Sequence, residues 1–257
     1  MALIGRNSYK IDIYANTILI TIEFKPRKNK IGDITIMPTT TQIAIVLYPG
    51  FTALDALGPY EILKMIPGAE IRFVAHQTGP IKTDRNILVV GATHSFVDTP
   101  KPDLVLVPGS EAHTKSAMSD EKLLIWLQDV HQQSNLTCSV CSGALILAAA
   151  GILNGHPATT HWAAMSALEK FGAIPQPSKR VVKSGKIYTA AGVSAGLDLA
   201  FTLLAELAGQ ERAEIAQLMI EYDPQPPFNA GHISKATEKV REKAINEMKY
   251  LSTHPTF

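Results

Sequence analysis

The stretch LTCSVCSGALILAAAG, residues 136–151, carries the clearest architectural signal of the chain. It begins with a short apolar run, Leu136–Val140, which is typical of a buried parallel strand. A helical run over Ser142–Ala150 follows and is closed by Gly151. Because a strand followed at once by a buried helix is the repeating unit of α/β proteins, we predict that Cys141 occupies the tight turn between them.

The five residues around Cys141 read Ser139-Val140-Cys141-Ser142-Gly143, the small-x-nucleophile-x-Gly form of a nucleophile elbow. A sharp strand-to-helix turn crowds the backbone, so it needs small neighbours, and it exposes the central side chain at the sheet edge. The helix N-terminus offers free N–H groups and a partial positive charge, which favour a thiolate and lower the pKa of the cysteine. The alternative is a buried structural cysteine.

Cys138 and Cys141 are the only cysteines, and they form a Cys-x-x-Cys pair. A thioredoxin-like motif places its first cysteine at a helix N-terminus, whereas Cys138 falls inside the predicted strand. A zinc site would need two further ligands, and the chain has no second cysteine pair. We therefore predict that Cys138 belongs to the core and that the protein binds no metal.

From Thr41 onward, predicted strands and helices alternate. The predicted strands are Ile43–Tyr48, Ile71–Ala75, Leu104–Val107 and Leu136–Val140, with hairpins near residues 79–90 and 181–188. The predicted helices are Ala53–Met65, Asp120–Gln133, Ser142–Ala150, Ala163–Phe171, Ala195–Ala208 and Glu211–Ile220. This alternation predicts a mostly parallel central sheet covered by helices on both faces, a three-layer α/β sandwich. Pro49-Gly50, Pro108-Gly109 and Cys141 all follow strands, so we expect them to line one crevice.

Three further residues are candidates for this crevice or its support. Asp55 follows the first strand; it is either a carboxylate that caps a helix or an acid that faces Cys141. His161 is either a base or orienting group or a structural histidine. Asp198 lies in an apolar helix, so we expect it to be buried and hydrogen-bonded to a loop.

The chain divides into three regions by composition. Met1–Thr40 contains a possible strand at Asn16–Phe24 and lacks motifs; a hairpin, an oligomer arm and a disordered leader are all open, and the leader is preferred. Residues 41–231 form the α/β domain. Residues 232–257 are a polar tail or a last helix.

Composition excludes several classes of function. The net charge of the 257 residues is +1 without a basic stripe, which argues against a nucleic-acid partner. The most apolar run, Ala144–Leu153, is about half of the roughly 20 residues that a membrane-spanning helix needs. Two cysteines and the lack of a signal-peptide pattern favour a reducing cytoplasm, so we predict a soluble cytoplasmic protein.

Several stretches taken together resemble the ThiJ/PfpI superfamily over Thr41 to about Gly231. They are LDALGP (54–59), VPG (107–109), SVCSG (139–143), ATTHW (158–162), and EYDP (221–224) with PPFNAG (226–231). The cysteine motif and the Thr-Thr-His-Trp run are general to the superfamily. The Asp55 segment and the Pro-Pro-Phe-Asn-Ala-Gly run look closer to its isocyanide hydratase branch.

This resemblance implies a homodimeric, cofactor-free, flavodoxin-like enzyme that hydrates a small isocyanide to an N-substituted formamide. Cys141 would be the nucleophile that forms a thioimidate, and Asp55 the general acid/base. Backbone N–H groups near Gly109 and Ser142 would line an anion pocket, with His161 beside it. The chain departs from the branch in Ser142, which stands where we expect Thr, and in the added residues 1–40.

Three other functions remain as alternatives. A glyoxalase-like or deglycating enzyme would use the same cysteine but depend on Glu and His, so Asp55 argues against it. A stress protein would sense oxidants through Cys141. A transcription regulator would need a DNA-binding domain, and about 26 residues after Gly231 are too few for one of the AraC type.

Overall fold

The computed structural model describes residues 8–14, 17–23 and 40–254. The chain separates into two compact units, residues 1–37 and 38–257. In the first unit, strands β1 (Ser8–Tyr14) and β2 (Thr17–Glu23) pair in antiparallel register. Of the three alternatives for this region, the described strands thus form a hairpin, and β2 lies within the strand expected from sequence.

The second unit alternates strands and helices along the chain. Its elements are β3 (Thr41–Val46), α1 (Ala53–Leu63), β4 (Ala69–Ala75), β5 (Gly79–Lys82), β6 (Val89–Ala92), β7 (His94–Ser95), β8 (Leu104–Val107), α2 (Thr114–Ala117), α3 (Glu121–Gln133), β9 (Leu136–Ser139), α4 (Gly143–Ala149), β10 (Pro157–Ala158), α5 (Met165–Glu169), β11 (Ile174–Pro175), β12 (Val181–Ser184), β13 (Ile187–Ala190), α6 (Ala195–Ala208), α7 (Gln210–Met219) and α8 (Glu238–Thr253). Short 3-10 turns cover Asp84–Asn86 and Trp162–Ala164.

Seven strands form the central sheet in the order β12-β13-β9-β8-β3-β4-β7. Every pairing is parallel except that between β12 and β13, which form the predicted hairpin at one edge. From β3 the chain first moves to β4 on one side and then returns to β8 on the other. This reversal between β3 and β8 is the topological switch point, where α/β sheets open a crevice at the carboxyl ends of their strands.

The helices cover both faces of the sheet. Because crossovers between parallel strands are right-handed, α1, which joins β3 to β4, and α3, which joins β8 to β9, lie on opposite faces. On one face α6 packs against α1 and α7; on the other, α4 packs against α2, α3 and α5. The predicted three-layer, mostly parallel architecture is confirmed.

One expectation about a helix differs from the structure in detail. The helix predicted over Ala163–Phe171 is wrong at its ends: the 3-10 turn comes first, and α5 spans only Met165–Glu169. Here the His161 ring caps the turn by accepting from the Ala163 N–H, and the chain leaves the helix at Gly172 with φ +74°. The polar tail does contain a last helix, α8, which begins after Thr237. In the described part of the chain, no helix combines the length and the apolar character needed to cross a membrane.

Candidate active site

The loops that follow β3, β8 and β9 meet at the carboxyl edge of the sheet, around the switch point. They bring together Asp55 in the first turn of α1, Gly109 after β8, and Cys141 after β9. The structure therefore unites the residues that the sequence placed at three separate strand ends.

Cys141 lies in a strained turn between β9 and α4. Its φ is +57°, a left-handed conformation that costs energy for a residue with a side chain. The surroundings hold it there: its N–H donates to the Ala191 carbonyl at 2.9 Å, and its carbonyl accepts the Thr160 hydroxyl at 2.8 Å. The side chain is only 6% exposed.

The start of α4 comes so close to β8 that only glycine fits at position 143. A Cβ on Gly143 would lie 2.2 Å from the Val107 carbonyl oxygen and 2.9 Å from the Pro108 carbonyl carbon. The glycine of the predicted elbow pattern is thus required by packing between a helix and a strand.

The Asp55 carboxyl is completely buried and directed at the Cys141 turn. Its Oδ2 accepts the Gly109 N–H at 2.8 Å, and the Cys141 thiol lies within hydrogen-bonding reach of the carboxyl. Oδ1 has no partner with conventional hydrogen-bond geometry among the described residues. Thr52 occupies the N-cap position of α1, and the Asp55 carboxyl binds Gly109 rather than the helix end, so the structure favours an acid facing Cys141 over a helix cap.

Burial decides the protonation of Asp55. It raises the pKa of the carboxyl to about 7, the Gly109 N–H and the Cys141 thiol oppose that rise, and the negative charge of Asp84 adds to it. Near neutral pH the carboxyl is therefore poised to take up or release a proton.

The prediction that the helix N-terminus lowers the pKa of Cys141 is wrong for the free protein. Burial, followed by the charge of Asp55, raises the pKa of the thiol well above its ordinary value. The N–H groups of Ser142 and Val193 and the Ser142 side chain favour the thiolate, but their effect is smaller. Cys141 thus rests as a thiol, with two N–H groups in place to stabilise its anion.

The backbone N–H groups near Gly109 and Ser142 do not form the anion pocket in the way that was predicted. The Gly109 N–H donates to Asp55 rather than pointing at a free site. A Cβ on Gly109 would lie 2.6 Å from both the backbone nitrogen and Oγ of Ser142, so glycine lets these loops meet. The Ser142 hydroxyl accepts the Ser110 N–H at 3.0 Å and lies 2.7 Å from Thr114 Oγ1, which fixes the loop after β8 to the start of α4.

Comparison with known proteins shows the family of the chain. A sequence model of the DJ-1/PfpI family matches residues 41–206. The chain is a member of the DJ-1/PfpI family. It is 39% identical over 203 residues to the isonitrile hydratase of Pseudomonas putida, a match that covers 79% of this chain and 88% of that protein.

Solved structures of the family share the fold. A ThiJ/PfpI family protein from Pseudomonas syringae is 38% identical and superposes with a TM-score of 0.79, covering 90% of this chain and 98% of that one. DJ-1beta of Drosophila melanogaster superposes with a TM-score of 0.66 over 71% of this chain and 98% of that one. At 19% identity the second likeness concerns the fold alone.

In this member of the family, His161 lies beside the Cys141 turn without bonding to the candidate pair. Its ring packs on Gly192, where a Cβ would lie 2.8 Å from Cδ2. Its Nδ1 accepts the Ala163 N–H at 3.3 Å, and burial lowers its pKa, so the ring is neutral. Among the hydrogen bonds of the described residues, none joins His161 to Cys141 or Asp55.

Asp198 is half-buried rather than buried, which corrects the expectation for this residue. Its carboxylate pairs with Arg180 and accepts the Tyr222 hydroxyl at 2.7 Å. As expected, Asp198 is hydrogen-bonded to the segment after α7. The side chain of Arg180 is half-exposed, so water reaches the ion pair of Arg180 and Asp198.

Cys138 lies in β9 and is completely buried, and burial raises the pKa of its thiol. Over residues 8–14, 17–23 and 40–254, no three or more His, Cys, Asp or Glu side chains are grouped to hold a metal ion.

Sequence reasoning missed two residues of the site. The Val193 N–H faces the Cys141 sulfur from the loop before α6. The buried Tyr48 hydroxyl donates to the Pro108 carbonyl at 3.0 Å and ties the end of β3 to the end of β8. A backbone N–H leaves no signal in a sequence, whereas a tyrosine before Pro49-Gly50 could have been noted as a strand-end anchor.

Proposed function

We propose that this DJ-1/PfpI protein hydrates a small organic isocyanide to an N-substituted formamide, with Cys141 as nucleophile and Asp55 as general acid/base. The observation that carries the proposal is the buried thiol beside a buried carboxyl whose pKa is about 7. The 39% identity to the isonitrile hydratase of Pseudomonas putida supports the substrate class.

The first step joins the thiol to the isocyanide carbon, which accepts both a proton and a nucleophile. Asp55, ionised, takes the proton of Cys141 and delivers it to that carbon while the sulfur adds to the same atom. The N–H groups of Ser142 and Val193 stabilise the thiolate as it forms. The product is a thioimidate, R–N=CH–S–Cys141, and Asp55 is again ionised.

The second step returns the enzyme to its starting state. Asp55 removes a proton from water, whose oxygen adds to the thioimidate carbon, and passes that proton to nitrogen, which gives R–NH–CH(OH)–S–Cys141. Asp55 then takes the hydroxyl proton and delivers it to sulfur as the C–S bond breaks, and the formamide R–NH–CHO leaves. Overall, one isocyanide and one water give one formamide, and no electron donor or acceptor takes part.

Access to the thiol favours this substrate over the alternatives. Because Cys141 is 6% exposed and Asp55 is completely buried, the reacting group must be slender. An isocyanide ends in a linear N–C unit, whereas a glyoxalase-like or deglycating reaction brings a planar, substituted carbonyl group. A redox sensor needs a thiolate at rest, and burial raises the pKa of Cys141.

Formamide production from an aryl isocyanide tests the proposal. We expect Cys141→Ala to lower kcat on the order of 10³-fold or more, because no thioimidate forms. Asp55→Asn should lower kcat roughly 10²- to 10⁴-fold, because proton transfer is lost. Cys138→Ala is the matched control, since Cys138 is also buried but lies in the strand; it should keep turnover. Mass spectrometry should detect a Cys141 adduct, and normal turnover by Cys141→Ala would overturn the proposal.

A further inference from the structure

Helix α1 opens with a capping-box sequence whose bonds do not form. Thr52 is the N-cap residue and Asp55 stands three positions later, the spacing at which the two side chains normally bond each other's backbone N–H groups. Here the Thr52 hydroxyl makes no cap bond. The backbone N–H of Thr52, which the acidic side chain of a capping box normally binds, donates to the Gly109 carbonyl at 2.9 Å. It is therefore not available to the Asp55 carboxyl.

The Thr52 hydroxyl is bound instead by a residue outside the helix. It donates to Asp84 Oδ2 at 2.8 Å. Asp84 is itself anchored, because its N–H donates to the Phe51 carbonyl at 3.0 Å and its neighbour Thr83 pairs with Phe51 as a parallel bridge. The Asp84 carboxylate is thus held beside the first turn of α1.

The two residues after Asp84 are both left-handed. Arg85 has φ +63° and Asn86 has φ +58°, conformations that persist only where the surroundings impose them. Arg85 clamps Glu111 with two bonds, Nε to Oε2 at 2.9 Å and Nη2 to Oε1 at 3.0 Å. Glu111 lies two residues after Gly109, so this clamp joins the Asp84 turn to the loop that contacts Asp55.

We propose that Asp84 is a positioning residue for Asp55. By binding the Thr52 hydroxyl, it holds Thr52 where its N–H donates to the Gly109 carbonyl, and Gly109 in turn donates to the Asp55 carboxyl that is directed at Cys141. The inference rests on the proposed function only for the role of Asp55 as acid/base.

The charge of Asp84 reinforces this effect. Burial is the largest cause of the raised pKa of Asp55, and the charge of Asp84 raises this pKa further. A higher pKa makes Asp55 a stronger base toward the buried thiol. The titratable groups that act on either carboxyl are Cys141 and Tyr48 around Asp55, and Glu111, Arg85 and His113 around Asp84.

Substitutions of Asp84 and Thr52 separate the effect of the hydrogen bond between these two residues from the effect of the Asp84 charge. Asp84→Ala releases the Thr52 side chain and loosens the contact between Thr52 and Gly109, so we expect kcat on an aryl isocyanide to fall on the order of tenfold while KM changes little. Thr52→Val removes the same hydrogen bond from the other side, so adding it to Asp84→Ala should lower kcat little further. Asp84→Asn keeps an acceptor for Thr52 but loses the charge, so kcat should fall less than in Asp84→Ala.

The pH dependence of Cys141 alkylation by iodoacetamide reports on Asp55 without any isocyanide. In the wild type we expect an inflection near pH 7, where Asp55 ionises. In Asp84→Asn the inflection should move to lower pH, because the neighbouring charge is gone. Asp98→Asn is the matched control: Asp98 also accepts a hydroxyl, that of Ser95, but follows the edge strand β7, and its substitution should leave the inflection in place.

The two readouts distinguish the inference from the proposed function. If the wild type makes no formamide but the alkylation inflection moves in Asp84→Asn, the hydratase proposal fails and the role of Asp84 stands. The role is wrong if Asp84→Ala keeps the wild-type kcat and inflection, or if adding Thr52→Val to folded Asp84→Ala multiplies the loss of kcat as an independent substitution would. Thermal melting of each variant establishes that it is folded.

Discussion

The chemistry of the pair Asp55 and Cys141 is set by where their protons reside. Burial raises the pKa of both groups, and two backbone N–H groups stand ready for the thiolate. Below about pH 7 both side chains hold a proton, so the carboxyl cannot accept one from the thiol. Turnover should therefore rise as the pH increases through about 7.

The buried carboxyl of Asp55 should also lower the stability of the protein at high pH. Its pKa is about 7 in the folded state against 3.8 for an ordinary aspartate, so the folded state binds more protons between these values and the free energy of unfolding falls as pH rises. Asp55→Asn should therefore raise the melting temperature above pH 7, by an amount equivalent to at most roughly 4 kcal/mol. The gain should vanish toward pH 4.

Asp98→Asn gives a control of opposite sign. Hydrogen bonds from Ser95 lower the pKa of Asp98, so its carboxylate stabilises the fold above the ordinary aspartate pKa. Replacing it should lower the melting temperature at pH 8 rather than raise it. A melting curve for Asp55→Asn that is no higher than that of the wild type at pH 8 contradicts the buried-charge account.

At the scale of elements, the contact between β8 and the start of α4 places Cys141. The helix begins at Gly143, directly against the last carbonyl of the strand, and its buried face continues into the core. This close approach directs the Cys141 turn toward α1, where Asp55 lies. Any side chain at position 143 must therefore push the helix away from the strand.

Gly143→Ala should destabilise the protein by about 3 kcal/mol or more, because the new Cβ would lie 2.2 Å from a backbone oxygen that cannot move aside. Gly91→Ala in β6 is the matched control, since a Cβ there meets no atom within 4 Å; it should change stability by less than about 0.5 kcal/mol. Urea unfolding of both variants measures the difference, and equal midpoints would contradict the packing argument.

At the scale of the whole molecule, the family domain and the N-terminal unit are separate bodies. The family model begins at residue 41, and the second unit contains all seven strands of the central sheet and the candidate site. The homodimer expected from the family resemblance remains a prediction.

Removing residues 1–37 should leave the melting temperature, kcat and the dimeric state unchanged, because the site and sheet lie in residues 38–257. Analytical ultracentrifugation and formamide assays of the full and shortened chains check this. A shortened chain that sediments as a monomer beside a dimeric full chain would instead assign residues 1–37 the oligomer-arm role left open by the sequence.

The order of elements could be predicted because its signals are local. Apolar runs of four to six residues predicted the strands, and the position of Cys141 between a strand and a helix predicted the turn. The prediction that Cys138 lies in the core is confirmed. The approximate bounds predicted for α6, Ala195–Ala208, match the structure because the helical periodicity lies within the segment itself.

The behaviour of the site was decided by tertiary contacts. The Asp55 carboxyl accepts the N–H of Gly109, 54 residues away, and therefore does not cap its own helix. The Val193 N–H and Asp84 lie in other loops, and no spacing in the sequence indicates that these loops approach the site. The direction of the Cys141 pKa shift was missed because a helix N-terminus is visible in a sequence, whereas burial is not. Local patterns determine backbone elements, but the charge of a buried group depends on how much water the folded chain excludes, and that is settled only when distant segments pack together.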